Sequence, residues 1–257
     1  MKIFTLSCII FSILQISCSE KTELENTTPS DVTMDYSMSD FYPTSNGEVI
    51  HHAYYSLSYM EEHEQAEWVL YMLTKELVNG DEERTNNFRE DPLVSTSSAT
   101  VEDYVGSGYD RGHLCPAKAM SLNKTSMSES FFLSNISPQS ISCNRGRWKI
   151  LETKVRDWVN TYDTLYVISG AILKDSIGNI GANKVTIPSS YYKVIYDPFP
   201  KPKLIAFIMP NEKMDESIDY YVVSVDKVEE LTNIDFYSIL PDEIENRLEM
   251  KSEYSHW

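Results

Sequence analysis

The sequence predicts an α+β domain with a largely antiparallel central sheet flanked by helices. Two observations carry that expectation. Short segments with strand-like character are separated by turn residues at hairpin spacing, and apolar residues recur at helical spacing in segments interleaved with them. No internal repeat and no second compositional region is present, so one domain suffices.

Taken in order, residues 51–59 (His-His-Ala-Tyr-Tyr-Ser-Leu-Ser-Tyr) alternate in part as a strand does, which starts the folded part near Val49. Ala66, Leu70, Leu73 and Leu77 fall at helix-like intervals and predict a helix over 64–77, closed by Asn79-Gly80. Residues 81–108 read as a loop. Leu151, Val155, Trp158 and Val159 share one face of a second helix, expected over 145–160. Strands are expected at 164–168, 191–196, 203–209 and 220–225, split by turns at Gly178-Asn179, Asp197-Pro198 and Pro210-Asn211. Short helices near 227–231 and 241–250 finish the chain.

The amino-terminal end reads differently. Lys2 precedes an apolar run over 3–16, about 14 residues, too short for a bilayer core that needs about 20. Residues 1–18 therefore read as an export signal. Its end, Leu14-Gln15-Ile16-Ser17-Cys18, is similar to a bacterial lipobox and predicts a lipid on Cys18, giving a membrane-anchored product in the periplasm or at the cell surface. An ordinary cleaved signal with a secreted product is the alternative. Residues 19–48, rich in Ser, Thr, Asp and Glu, read as a flexible tether, and 49–257 as the domain.

With 39 acidic and 22 basic residues, the chain carries a formal charge of -17. That balance favours solubility and does not recommend a polyphosphate partner, so any phosphate-binding surface must be a local basic island. Arg145, Arg147, Lys149, Lys154 and Arg156 set five positive charges against Glu152 and form such a run, with Lys118 and Lys124 as extensions. Tyr54, Tyr55, Tyr191 and Tyr192 read as strand core rather than as base-stacking platforms.

Two segments carry chemistry. One is Asp110-Arg111-Gly112-His113; the other runs Ser134-Asn135-Ile136-Ser137-Pro138-Gln139, then Asn144-Arg145-Gly146-Arg147-Trp148 and Leu151-Glu152. Hydrolysis of a phosphodiester needs a base that titrates near neutrality to take a proton from water, and imidazole suits that task. It also needs a cation to offset charge at phosphorus and an acid for the leaving oxygen. A hydrated hard metal ion can do both while asking little of the protein: one amide oxygen and one carboxylate. Asn144 and Glu152, eight residues apart, supply them. A guanidinium such as Arg111 grips phosphate oxygens in bidentate fashion.

This ordered set resembles the DNA/RNA non-specific endonucleases of the ββα-metal superfamily. Their signature is Asp-Arg-Gly-His, followed about thirty residues on by Ser-Asn-Ile-x-Pro-Gln, Asn-x-Gly-x-Trp and a Leu-Glu pair. Here 31 positions separate His113 from Asn144. The likeness extends from Tyr54 to Leu248 and includes Phe88-Arg89-x-Asp91-Pro92. The resemblance implies a ββα-metal nuclease fold and cleavage of DNA and RNA to 5'-phosphate and 3'-hydroxyl ends. It implies His113 as general base and Asn144 as direct ligand of Mg2+, with Mn2+ as a substitute. Glu152 would hold the ion through water, and a water on the ion would protonate the leaving group. Arg84 is similar to the arginine that steadies the scissile phosphate, and Arg111, Asn135, Arg145 and Arg147 are expected to bind substrate. With an ordinary imidazole, activity should rise with pH through about 6–7. A catalytically weak nucleic-acid binder, or a surface scaffolding lipoprotein, is the rival reading; nothing in it requires these residues together.

Once Cys8 leaves with the signal and Cys18 is lipidated, Cys115 and Cys143 remain, each within two residues of a proposed catalytic group. An oxidising compartment favours a disulfide between them over two buried thiols. Such a bond would contribute about 3 kcal/mol in the chain-entropy picture.

Overall fold

The computed structural model describes residues 37–257. The expected export signal, Cys18 and most of the expected tether lie outside the described residues. Residues 38–47, expected as part of the tether, are packed against the domain. A single turn at Met38–Phe41 buries the Phe41 ring completely against Tyr166, Tyr196 and Tyr237, and the backbone amides of Asn46 and Gly47 donate to Glu67 Oε1. One aromatic side chain in a polar stretch is enough to dock it.

Seven antiparallel strands form the central sheet in the order β1 (Glu48–His51), β2 (Tyr55–Met60), β3 (Gln65–Thr74), β6 (Thr164–Ala171), β9 (Ser190–Asp197), β10 (Lys203–Pro210) and β11 (Val222–Val223). Two smaller ribbons pair β4 (Asp110–His113) with β5 (Ile136–Gln139), and β7 (Ser176–Ile180) with β8 (Val185–Pro188). Among the described residues, three helices exceed two turns: α1 (Lys149–Tyr162), α2 (Val225–Thr232) and α3 (Asp242–Glu249).

The expected helix over 64–77 is instead β3, with only the single turn Lys75–Val78 helical. β3 lies between β2 and β6 with both faces covered, so nearly every residue is buried and the period-two signal that marks a half-exposed strand is lost. The strand formers Trp68, Val69 and Tyr71 decide the outcome, and the helical spacing of Ala66, Leu70, Leu73 and Leu77 is coincidental. Helix α1 starts later than expected because Asn144–Trp148 form a wide π-type turn in which Gly146 leaves helical geometry (φ -101°, ψ -121°). The strand expected at 220–225 shrinks to the two residues of β11 after a 3-10 turn at Ile218–Tyr221.

Alternate residues of the same strands feed two cores, one on each face of the sheet. Val69, Tyr71, Val167, Tyr191 and Ile195 pack with Leu151, Val155, Trp158 and Val159 of α1. Trp68, Leu70, Ile168, Tyr192 and Val194 pack with Val225 and Val228 of α2 and Leu248 of α3. The whole segment 75–163 runs out from the end of β3 and returns to pair Thr164 with Thr74. It carries β4, β5 and α1.

Candidate active site

His113 stands at the end of β4, where it pairs with Ile136 of β5. The ribbon explains the glycine of Asp-Arg-Gly-His. Gly112 lies opposite Ser137, and a Cβ there would overlap the side chain of Gln139. Only glycine lets the strands close at this point.

The His113 ring is buried, edge-on to Phe131 (centroids 5.0 Å apart, 90°) and tilted against Phe88 (5.5 Å). Its Nε2 has no hydrogen-bond partner among the described residues. Burial, with the nearby Arg84 and Arg111 guanidiniums, lowers its pKa to about 3. The imidazole is therefore neutral at every pH at which an ordinary histidine would still be titrating, and the activity rise expected through pH 6–7 has no support in this environment.

Asn144 heads the wide turn before α1. Its Nδ2 donates to Asp110 Oδ2 (2.9 Å), and Arg145 grips both oxygens of the same carboxylate (2.8 and 2.7 Å). Burial opposes ionisation of Asp110, but the hydrogen bonds from Arg145 and Asn144 outweigh it and hold the carboxyl below its usual range. This clamp fixes the rotation of the Asn144 amide and leaves Oδ1 as its free donor oxygen. One turn into α1, Glu152 is pushed up by burial and held partly down by Lys193, Arg156 and Arg84.

Arg84, Arg111, His113, Asn144 and Glu152 line one cavity of about 440 Å³ together with Lys118, Arg145, Lys149 and Arg156. Six cations thus face a single carboxylate, the basic island that the chain's net charge conceals. The arginines are pre-positioned by aromatic rings: Arg84 lies over Phe131 (4.8 Å) and Arg111 over Phe88 (4.3 Å), the two rings that also hold His113. A second recess, about 430 Å³, shares Arg145 and Lys149 and adds Lys154, Ile150 and Ile218.

Two expected substrate-binding residues are not brought to the cavity. Asn135 is fully buried. Its Oδ1 accepts from Cys115 N (2.8 Å) and its Nδ2 donates to Cys115 O (2.9 Å) and Ser130 O (2.8 Å), so every polar atom of the amide is spent on the chain just past His113. It holds the backbone that carries the histidine rather than a ligand. Arg147 points away and donates to Asp215 O (2.7 Å). The expected disulfide is also absent. Cys115 and Cys143 are free, buried thiols in the α1-side core, where burial raises both pKa values. They pack as small apolar side chains.

Sequence reading missed Lys193, a fully buried lysine of β9 whose ammonium donates to Ser169 Oγ and Tyr71 OH (3.0 Å) and stands over the Trp148 ring (4.7 Å). Burial lowers its pKa to about 8, offset by Glu152 and Cys115. A lone lysine inside the apolar run Tyr191-Tyr192-Lys193-Val194-Ile195 was the available signal.

Comparison with known proteins places this geometry in context. Residues 35–243 match the model of a family described as DNA/RNA non-specific endonuclease. The chain is 32% identical over 218 residues to human mitochondrial nuclease EXOG, covering 76% of this chain and 58% of the human one. It is 32% identical over 210 residues to a nuclease of Nostoc sp. (77% and 76% covered), and 32% identical over 200 residues to bovine mitochondrial endonuclease G (72% and 67%). Against the mouse and human mitochondrial nucleases, it spans somewhat under two thirds of their length. A crystal structure of the EndoG/EndoGI complex, which concerns the mechanism of EndoG inhibition, aligns with a TM-score of 0.72 at 30% identity, covering 79% of this chain and 91% of that one.

Proposed function

The chain belongs to the DNA/RNA non-specific endonuclease family, and from that premise we propose that it hydrolyses phosphodiester bonds of DNA and RNA to 5'-phosphate and 3'-hydroxyl ends. One observation carries this reading: a neutral, unpartnered imidazole, an oriented amide oxygen and a carboxylate line the same cavity as six cations.

The residues fit a hydrated Mg2+. Asn144 Oδ1 is a hard oxygen donor already fixed in rotation, and Glu152 offers a carboxylate on the same wall. When bound, the ion would offset the charge that develops on the phosphate oxygens. The rest of the work falls to side chains. Arg84 and Arg111 hold non-bridging oxygens, with Lys118, Arg145, Lys149 and Arg156 tracking the flanking phosphates. His113 Nε2 takes the proton that the attacking water loses as its oxygen bonds to phosphorus. The bond from phosphorus to the 3'-oxygen breaks; that oxygen takes a proton from water and ends the upstream fragment as a 3'-hydroxyl, while the phosphate stays on the 5'-oxygen of the downstream fragment. The dry ring pocket keeps the imidazole in its proton-accepting form.

Digestion of plasmid DNA and of RNA in Mg2+, with and without chelator, tests the proposal. His113→Ala should lose about 10²–10⁴ in rate while keeping its fold; equal rates in the two proteins would end the assignment. Anchoring through a lipid on Cys18 is a separate proposal resting on the lipobox-like residues 14–18. The mass of the mature amino-terminal peptide decides it.

A further inference from the structure

The two carboxy-terminal helices hold a second charged centre, on the opposite face of the sheet from the cavity. Asp226 and Glu229 of α2 and Glu249 of α3 each bring one carboxylate oxygen to within 4.8 Å of the others. Asp226 is exposed, Glu229 half-buried, and Glu249 only 6% exposed. Glu249 Oε1 is sealed from solvent and has no hydrogen-bond partner among the described residues; the same holds for Oε1 of Glu245, one turn earlier on α3. No ion pair among the described residues involves these four side chains. The neighbouring Lys227 turns to Glu230 (2.6 Å) instead. Burial first, then Glu229, Glu245, Asp226 and Asp235, push Glu249 up to about 8; burial and nearby carboxylates also raise Glu245, and raise Glu229 against the pull of Phe236 N, which donates to its Oε1 (3.0 Å).

A buried carboxylate with an unpartnered oxygen, set beside two other carboxylates, is unfavourable unless it carries a proton or a cation. We propose that Asp226, Glu229 and Glu249 form a calcium-class divalent-cation site that staples α3 to α2, distinct from the catalytic cavity. The donors are all oxygen and largely anionic, with no nitrogen or sulfur, which selects a hard cation. Calcium takes about six to eight oxygens in adaptable geometry, whereas magnesium demands a near-ideal octahedron and holds on to its waters, so carboxylates brought together from two separate helices suit the larger ion. The three carboxylate oxygens lie within 4.8 Å of one another, close enough to share one ion, with Glu245 near Glu249 and water free to complete the shell. This inference does not rest on the proposed nuclease activity.

Calcium alone, titrated calorimetrically into the full chain after chelator treatment, tests it. The expected result is a saturable binding step and a Tm rise of about 5 °C or more at saturation. Glu249→Gln should abolish both without changing Mg2+-dependent digestion, and Asp226→Asn, at an exposed position, should weaken both if the first variant folds poorly. Asn144→Ala should retain them. No heat and no Tm shift at millimolar calcium would overturn the proposal. So would a calcium response that survives Glu249→Gln and Asp226→Asn, or one that vanishes with Asn144→Ala, which would put the ion in the catalytic cavity.

Discussion

On one face of the central sheet, β4, β5 and α1 gather six cations and one carboxylate around a cavity; on the other, α2 and α3 gather four carboxylates with no cation paired to them. Both faces are built from alternate side chains of the same strands. The difference teaches that a chain's net charge constrains its average surface and not its sites. At physiological salt the field of the acidic bulk is screened within about 8 Å, so a phosphate at contact range answers to the cavity and not to the total of -17.

The two faces should also respond to pH in opposite directions, and this is the largest expected effect. Folded His113 has a pKa of about 3, below its unfolded value of ~6.5, so the unfolded chain takes up a proton that the native state refuses. Its burial is without penalty above pH ~6.5 and destabilises progressively as pH falls toward 3, by up to about 4 kcal/mol at 1.36 kcal/mol per unit. Glu249 runs the other way. Its folded pKa of about 8 lies above the unfolded carboxyl value, so its contribution to stability is present at acid pH and lost as pH rises through 8. Urea unfolding in chelator across pH 4–9 should show His113→Gln gaining acid stability and Glu249→Gln gaining alkaline stability. Parallel curves for the two variants would break the comparison.

Next in size is Asn135. Because its amide holds three backbone groups behind the histidine, Asn135→Ala should cost about 2–4 kcal/mol of stability. Below its melting transition, activity should change far less than in a variant that loses phosphate contacts. A variant with unchanged Tm and a large loss of kcat would return Asn135 to the substrate.

Arg84→Ala or Arg111→Ala should each lower kcat/KM about ten- to a hundredfold, the range of a lost charged hydrogen bond, while Glu229→Gln on the far face leaves it unchanged. Equal losses would mean that long-range field, not contact, drives binding. The smallest effect expected is at Lys118, an exposed contact in the cavity. Lys118→Ala should lower the slope of log affinity against log salt by about 0.9, one phosphate contact. A slope identical to that of the parent chain would remove Lys118 from the interface.

The residues of the proposed site that line one cavity could be picked out because they are local in sequence. Asp110-Arg111-Gly112-His113 is a single strand, and Asn144 and Glu152 straddle one helix start. The general sheet architecture was legible too, from turn spacing in the second half of the chain. β3 was not, because burial on both faces erases the alternation that announces a strand. Asn135 and Arg147 were misplaced because a motif records which residues recur together, not which way they face; one points at its own backbone and the other at Asp215. The thiols of Cys115 and Cys143 lie near the site in sequence but serve as packing. Lys193 and the Glu229–Glu249 cluster went unseen for a shared reason. Each depends on neighbours brought together only by the sheet, and on a helix an isolated glutamate looks like any solvated one.

Thr74 and Thr164 sit side by side on adjoining strands, and nearly everything that touches substrate in this reading lies between them. The chain therefore leaves the scaffold and rejoins it at one spot, enclosing its chemistry as a parenthesis encloses a clause. Such an insert can lengthen, shorten or exchange loops without disturbing the strand order, since both of its anchors are fixed by hydrogen bonds that belong to the sheet. Lys193 is one of its ties to the sheet. It reaches Trp148 and Glu152 from β9 beneath, as Gln65 reaches Ser137 and Tyr191 and Asn211 reach Pro138, so a transplanted insert would need these buried contacts carried along with it.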